Sequence, residues 1–191
     1  MMGQLLMSFT KLQNNAAIPE QADGRAVSLP ELLASRDNRQ ARQQQWLQQH
    51  PATLVVLTVV TPGAVKDSEL TRRIFNAGWQ QIQQLKWPVL RAEVFTLATG
   101  CEGFWLVEAA AQEVKTQAIA IEAYEPVGRL WDIDVLTAEG RILSRREREL
   151  PERQCLLCAL PARVCARQRT HDVDGLLAEM ARRAGAALNL Q

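Results

Sequence analysis

The sequence predicts a single α+β domain with a mixed or antiparallel sheet, followed by a cysteine-rich helical segment. Three observations lead there. Short β-branched or alternating runs are interleaved with segments of helical period. Turn signals twice join neighbouring strand-like runs into hairpins, which pair antiparallel. The composition changes after Pro151 to cysteines and arginines. A chain of 191 residues with 47% hydrophobic and 23% charged residues can bury one ordinary core.

Residues 1–27 carry no sustained periodicity and are expected to form a loose N-terminal extension; residues 28–150 would be the α+β core, and 151–191 a cysteine-rich segment and helix packed on the same domain. Ser28-Leu29-Pro30-Glu31 reads as a capping box, and Pro51 stops the helix it opens near His50. Leu32, Leu33, Trp46 and Leu47 anchor its apolar stripe. Arg36, Arg39, Gln40 and Gln43 fall between them, as they would on a face looking into a cleft or on a helix with a solvated middle.

Leu54–Val60 has the length and branching of a buried strand, broken at Thr61-Pro62-Gly63. Asp67 or Ser68 caps the next helix, with apolar positions Leu70, Ile74, Ile82 and Leu85. Runs at 91–98 and 103–109 form a hairpin, a short helix at 110–117 follows, and 118–123 alternates like a strand. Strand, helix, strand, strand, helix, strand is the split βαβ order of ferredoxin-like and palm-type domains. A second hairpin is expected at 129–136 and 141–144, and a last helix at 172–188.

Lys+Arg at 22 against Asp+Glu at 21 leaves a net charge of +1, which argues against a nucleic-acid or membrane-surface binder. No apolar run approaches the roughly 20 residues that span a bilayer, and the N-terminus is a poor signal peptide. A cytoplasmic protein is expected, with its four cysteines as thiols or metal ligands.

Chemistry concentrates in four places. In Gly128–Leu136, strand alternation puts Asp132 and Asp134 on one face, about 7 Å apart along the strand. Two carboxylates in a cleft repel unless a divalent cation such as Mg²⁺ lies between them, as phosphoryl transfer requires; the plain alternative is a solvated hairpin face. Pro62–Ser68 ends a strand and begins a helix, where free N–H groups and Lys66 would favour a phosphate, although P-loop spacing is absent and a solvated lysine fits equally. Arg129 and Ser144-Arg145-Arg146 offer guanidinium groups beside the aspartates. Cys155, Cys158, Cys165 and His171 follow a C-x2-C-x6-C-x5-H pattern, suited to a structural Zn²⁺ site or to buried thiols in a helix.

Taken in order, Leu32–Gln40, Pro62–Ser68 with Arg72–Asn76, Gly128–Val135, Ser144–Arg146, and Cys155 through His171 resemble the citrate lyase holo-acyl-carrier-protein synthases, the apo-citrate lyase phosphoribosyl-dephospho-CoA transferases. The resemblance runs from about Ser28 to the last helix, and is poor over about 87–112. It implies transfer of a phosphoribosyl-dephospho-CoA group from 2′-(5″-triphosphoribosyl)-3′-dephospho-CoA to a serine of the citrate lyase acyl-carrier (gamma) subunit, with release of pyrophosphate. It further implies a nucleotidyltransferase-type site in which Asp132 and Asp134 hold Mg²⁺ and Lys66, Arg129, Arg145 and Arg36 contact the triphosphate. Where a histidine is expected before Pro-x-Gly-Arg-Leu this chain has Glu125, so no base is assigned there; Asp134 or a metal-bound hydroxyl could serve. Two rivals stand beside this reading: the same transfer to another carrier, such as that of malonate decarboxylase, and a non-catalytic zinc-containing binding module.

Overall fold

The computed structural model describes residues 18–22 and 24–188, so most of the expected N-terminal extension lies outside the described residues. Among them are five α-helices and four strands: α1 (Leu29–Gln49), β1 (Thr53–Val59), α2 (Glu69–Gln84), β2 (Val89–Phe95), β3 (Glu102–Val107), α3 (Ala111–Tyr124), β4 (Trp131–Leu136), α4 (Ala162–Gln168) and α5 (Val173–Leu188). The strands form one antiparallel sheet in the order β2-β3-β1-β4, with β4 at an edge. The result is a mixed α+β domain.

Strand alternation divides the core in two. Val55 and Leu57 of β1, Trp105 of β3 and Ile133 of β4 pack against Ile74, Phe75 and Trp79 of α2, Val114 and Ile121 of α3, and Met180 of α5. On the opposite face Leu54, Val56, Phe104, Leu106 and Leu136 cluster with Trp46 and Leu47, near the C-terminal end of α1, with Ala52 and Phe95 packed at the margin. Ahead of that cluster α1 meets β3 and the turn before it through polar side chains, Ser35 bonding to Thr99 and Arg39 to Glu102.

Both helix starts behave as their sequences require. Ser28 Oγ accepts from Glu31 N while Glu31 Oε2 accepts from Ser28 N at 2.8 Å. Ser68, not Asp67, caps α2, with Thr71 as its reciprocal partner. Buried Asp67 instead forms a two-point ion pair with Arg72 (2.8 and 2.7 Å). The described end of the N-terminal stretch lies on α2: Ile18 N donates to Asn76 Oδ1 at 2.9 Å, and Asn76 Nδ2 donates back to Ile18 O at 3.0 Å.

Two expected strands are corrected. Residues 118–123 are not a strand but the second half of α3, which continues unbroken to Tyr124. Ala-Ile-Ala-Ile alternates by size, yet the buried positions Val114, Lys115, Ala118, Ile121 and Glu122 recur at helical spacing, and no Gly or Pro interrupts the helix before Pro126. The fourth strand is therefore β4 itself. Residues 141–144 return only far enough for one bridge, Leu136 to Ile142, and a bond from Leu143 N to Val135 O. The cysteine-rich segment is likewise less helical than expected, since Cys155 and Cys158 lie in an irregular loop and only Cys165 is on α4.

Candidate active site

The two aspartates are placed by β4. Its burial alternates, with Trp131, Ile133 and Val135 inward, so Asp132 and Asp134 share the opposite face, that of α1. They pair in register with Thr58 and Val56 of β1. Immediately before the strand, the turn Gly128–Leu130 lies so close to the end of α3 that a Cβ on Gly128 would stand 2.3 Å from the Ile121 carbonyl. Trp131 Nε1 then donates to Ile74 O at 2.8 Å, and this buried contact fixes where the strand begins.

Beside Asp132 is a cleft of about 270 Å³, lined by Leu32, Arg36 and Arg39 of α1, Thr58 and Val59 of β1, Lys66, Thr99–Cys101 of the β2–β3 turn, and Asp132. Arg36 and Arg39 of the polar α1 stripe thus look into a cleft, whereas Gln40 and Gln43 are not among its lining residues. Lys66 Nζ donates to Thr61 O at 2.6 Å; burial and the neighbouring Arg36 charge lower its pKa, so its ammonium is short of counter-charge. Gly63 makes this bend possible, with φ +74 and Val173 within 2.8 Å of where a Cβ would be.

Arg39 is aimed by a residue that sequence reasoning missed. Glu102 is 1% exposed and accepts from Arg39 Nε at 2.8 Å and from Arg42 Nη2. Arg42 also stacks 4.7 Å from the Phe95 ring centroid. Nothing local marks Glu102, at the end of a hairpin turn, as buried. The clue was two arginines at 39 and 42 on a helix face that needed a carboxylate.

The outer edge of β4 is closed by α3. Lys115 Nζ donates to Ile133 O at 3.0 Å, and Glu122 Oε1 accepts from Ile133 N at 2.8 Å, so the peptide between the aspartates is held from outside the sheet. Glu122, 3% exposed, also pairs with Arg145 at 3.1 Å and with Arg153, and Arg153 reaches Asp132 at 3.5 Å. Arg129 Nη2 donates to Gln154 O. The structure therefore brings Arg36, Lys66 and Asp132 into one cleft. It sets Arg129 and Arg145 at the far side of β4, engaged within the protein. Glu125, where a histidine was expected, accepts from Gln81 Nε2 at 2.8 Å.

These charges leave Asp134 in conflict. Burial first, and then the Asp132 charge, push its carboxyl from 3.8 up to about 6, although Lys115 and Arg39 pull the other way. The thiol of Cys101, which lines the same cleft, is pushed up to about 12 by burial and by Asp67. It is thus no candidate nucleophile at neutral pH.

Away from the cleft, the ligand atoms of Cys155, Cys158, Cys165 and His171 lie within 4.8 Å of one another. The arrangement is a possible metal site. No described helix is long and apolar enough to cross a membrane.

A cleft with Asp132 on its wall, Asp134 on the same strand face and cations around it suits the handling of phosphorylated substrates. The model of the apo-citrate lyase phosphoribosyl-dephospho-CoA transferase family matches residues 27–186, nearly the whole described domain. The chain belongs to this family. The apo-citrate lyase phosphoribosyl-dephospho-CoA transferases of Shigella boydii, Escherichia coli O157:H7 and Shigella sonnei are each 52% identical to it over 167 residues, covering 85% of this chain and 91% of theirs. The matched span begins one residue before the Ser28 cap of α1 and ends within α5. It takes in the cleft, the β4 edge and the cysteine–histidine cluster.

Proposed function

We propose that this chain transfers the 2′-(5″-phosphoribosyl)-3′-dephospho-CoA group from 2′-(5″-triphosphoribosyl)-3′-dephospho-CoA to a serine of the apo acyl-carrier (gamma) subunit of citrate lyase, in the cytoplasm. The observation that carries this reading is the cleft itself: Asp132 on its wall, Asp134 on the same strand face, and Arg36, Arg39 and Lys66 around it. The relatives' names, which specify apo-citrate lyase and a phosphoribosyl-dephospho-CoA group, support the choice of acceptor and of the group transferred.

The serine hydroxyl attacks the phosphorus next to the ribose. A phosphodiester P–O bond forms, the bond to the pyrophosphate oxygen breaks, and pyrophosphate leaves carrying the electron pair. Lys66, Arg36 and Arg39 would bind the triphosphate and offset the charge growing on the leaving group. Asp134, on the same strand face as Asp132, is the candidate to take the serine proton through a carboxylate oxygen left free of a cation. Arg153, Arg145 and Glu122 would hold the β4 edge so that the carboxylates keep their place.

The donor set fits a hard, oxygen-liganded cation, and the like-charge conflict at Asp134 is what such a cation relieves. Asp132 and Asp134 would hold Mg²⁺, which supplies charge neutralisation at the phosphates when bound. The connectivity β1-α2-β2-β3-α3-β4 with sheet order β2-β3-β1-β4 supports assignment to the ferredoxin-like, palm-type nucleotidyltransferases. Residues 28–150 would form the catalytic core and 151–191 a segment packed on it.

Pyrophosphate release tests the chemistry. With donor, Mg²⁺ and apo carrier, about one pyrophosphate should appear per carrier modified, and none with a carrier whose acceptor serine is alanine. Release without a carrier serine would contradict the transfer.

A further inference from the structure

Outside the cleft, the cysteine–histidine cluster is the one group of chemistry-bearing side chains among the described residues that the transfer reaction leaves unused. We propose that Cys155, Cys158, Cys165 and His171 bind one Zn²⁺, and that this zinc site staples the chain carrying Arg153 and Gln154 onto the outer edge of β4.

Four side chains separated by up to 16 positions in sequence converge, with every ligand atom within 4.8 Å of the others. Around a tetrahedral Zn²⁺ with bonds of about 2.0–2.3 Å, ligand atoms stand about 3.3–3.8 Å apart, so only a small contraction is needed. His171 carries a further sign of a missing ligand: its Nε2 is buried and has no hydrogen-bond partner among the described residues. A buried imidazole nitrogen left unpaired is unfavourable, and coordination through it removes that cost.

The backbone is shaped for the purpose. In the C-x2-C turn Leu157 N donates to Cys155 Sγ at 3.5 Å, which stabilises a thiolate. Cys155 N bonds to Leu160 O at 2.8 Å and Ala162 N to Arg153 O at 2.7 Å, closing the loop below α4. At the end of α4, Arg169 takes φ +50, a left-handed conformation disfavoured outside glycine. The chain turns there, and His171 comes back to the cysteines. Apolar packing contributes little to this loop: Leu157 and Leu160 are each 42% exposed, and Leu156 alone of its leucines packs at the core.

The first zinc ligand follows directly on Arg153 and Gln154. Arg153 pairs with Glu122 and Asp132, and Gln154 O receives Arg129. From the other side Arg183 of α5 donates to Leu156 O at 3.1 Å. Closing the loop on a metal would therefore fix one end of the clasp on Asp132. The significance of that clasp for transfer rests on the proposed function; the metal site does not.

The test uses the full chain, purified without chelator and kept reduced. Elemental analysis should give about one zinc per chain. Exchange for Co²⁺ should give the intense visible bands of a tetrahedral, thiolate-ligated ion. Cys158→Ala and His171→Ala should lose the metal, while Cys101→Ser keeps it. On zinc removal, hydrogen exchange should quicken at Cys155 and Ala162 while β1 and β3 stay protected. Less than a tenth of an equivalent of zinc, both as purified and after adding zinc to the reduced wild-type chain, would overturn the site. So would an octahedral cobalt spectrum, or full zinc retention in both ligand variants. Unchanged exchange at 153–162 after zinc removal would overturn the staple. These readouts do not depend on turnover, so failed transfer with zinc present would count against the proposed function alone.

Discussion

Replacing Asp134 by asparagine should abolish transfer and make the protein more stable. Folding raises the Asp134 carboxyl from 3.8 to about 6, through burial and the Asp132 charge. A raised carboxylate pKa means that the folded state prefers the protonated form. The ionised group is therefore a cost to folding that is fully present above about pH 6 and gone below about 3.8. At 1.36 kcal/mol per pH unit the cost is at most about 3 kcal/mol at neutral pH. Asparagine keeps the shape and removes the charge, and a gain of about 1–3 kcal/mol should raise Tm by roughly 2–10 °C for a domain of this size. Thermal unfolding in Mg²⁺-free buffer between pH 4 and 8, beside a transfer assay, checks both halves. The variant should exceed wild type at pH 7.5, and the gap should close as the pH falls through 6 toward 4. A lower Tm at pH 7.5, or a difference independent of pH, would refute the electrostatic reasoning. Transfer at the wild-type rate would refute the role of Asp134.

Lys66→Ala should raise KM for the donor or slow transfer by about tenfold or more, with Lys66→Arg recovering only part; unchanged kinetics would leave Lys66 as a loop-closing residue bound to Thr61. Glu122→Gln keeps an acceptor for Ile133 N but strands Arg145 and Arg153, so stability should fall by about 3–5 kcal/mol. Denaturant unfolding reads that loss, and a change below about 1 kcal/mol would contradict the hub. Cys101, raised to about 12, should resist alkylation at pH 8 in peptide-resolved mass spectrometry; rapid labelling would show that the thiol is not held by burial.

Much of this was readable from the chain. The Ser28–Glu31 cap, the β1 run and the first hairpin are local signals, and local signals are what a sequence displays. The Asp132–Asp134 pair was legible because strand alternation alone puts both on one face. The second half of α3 was not, since Ala-Ile-Ala-Ile satisfies both periods over so short a span, and only the length of the helix decides. Glu102 and Glu122 escaped because their meaning is wholly tertiary: each is a buried anion whose arginines come from other elements. For the same reason Arg145 looked free beside the aspartates, whereas its side chain is turned to Glu122.

The most direct test of the account is the intact mass of the apo acyl-carrier subunit after incubation with this enzyme, triphosphoribosyl-dephospho-CoA and Mg²⁺. Wild type should add one phosphoribosyl-dephospho-CoA group to the citrate lyase carrier, in preference to the malonate decarboxylase carrier, and folded Asp132→Asn should add none within the same time. An unmodified citrate lyase carrier, or equal modification by wild type and Asp132→Asn, would contradict it.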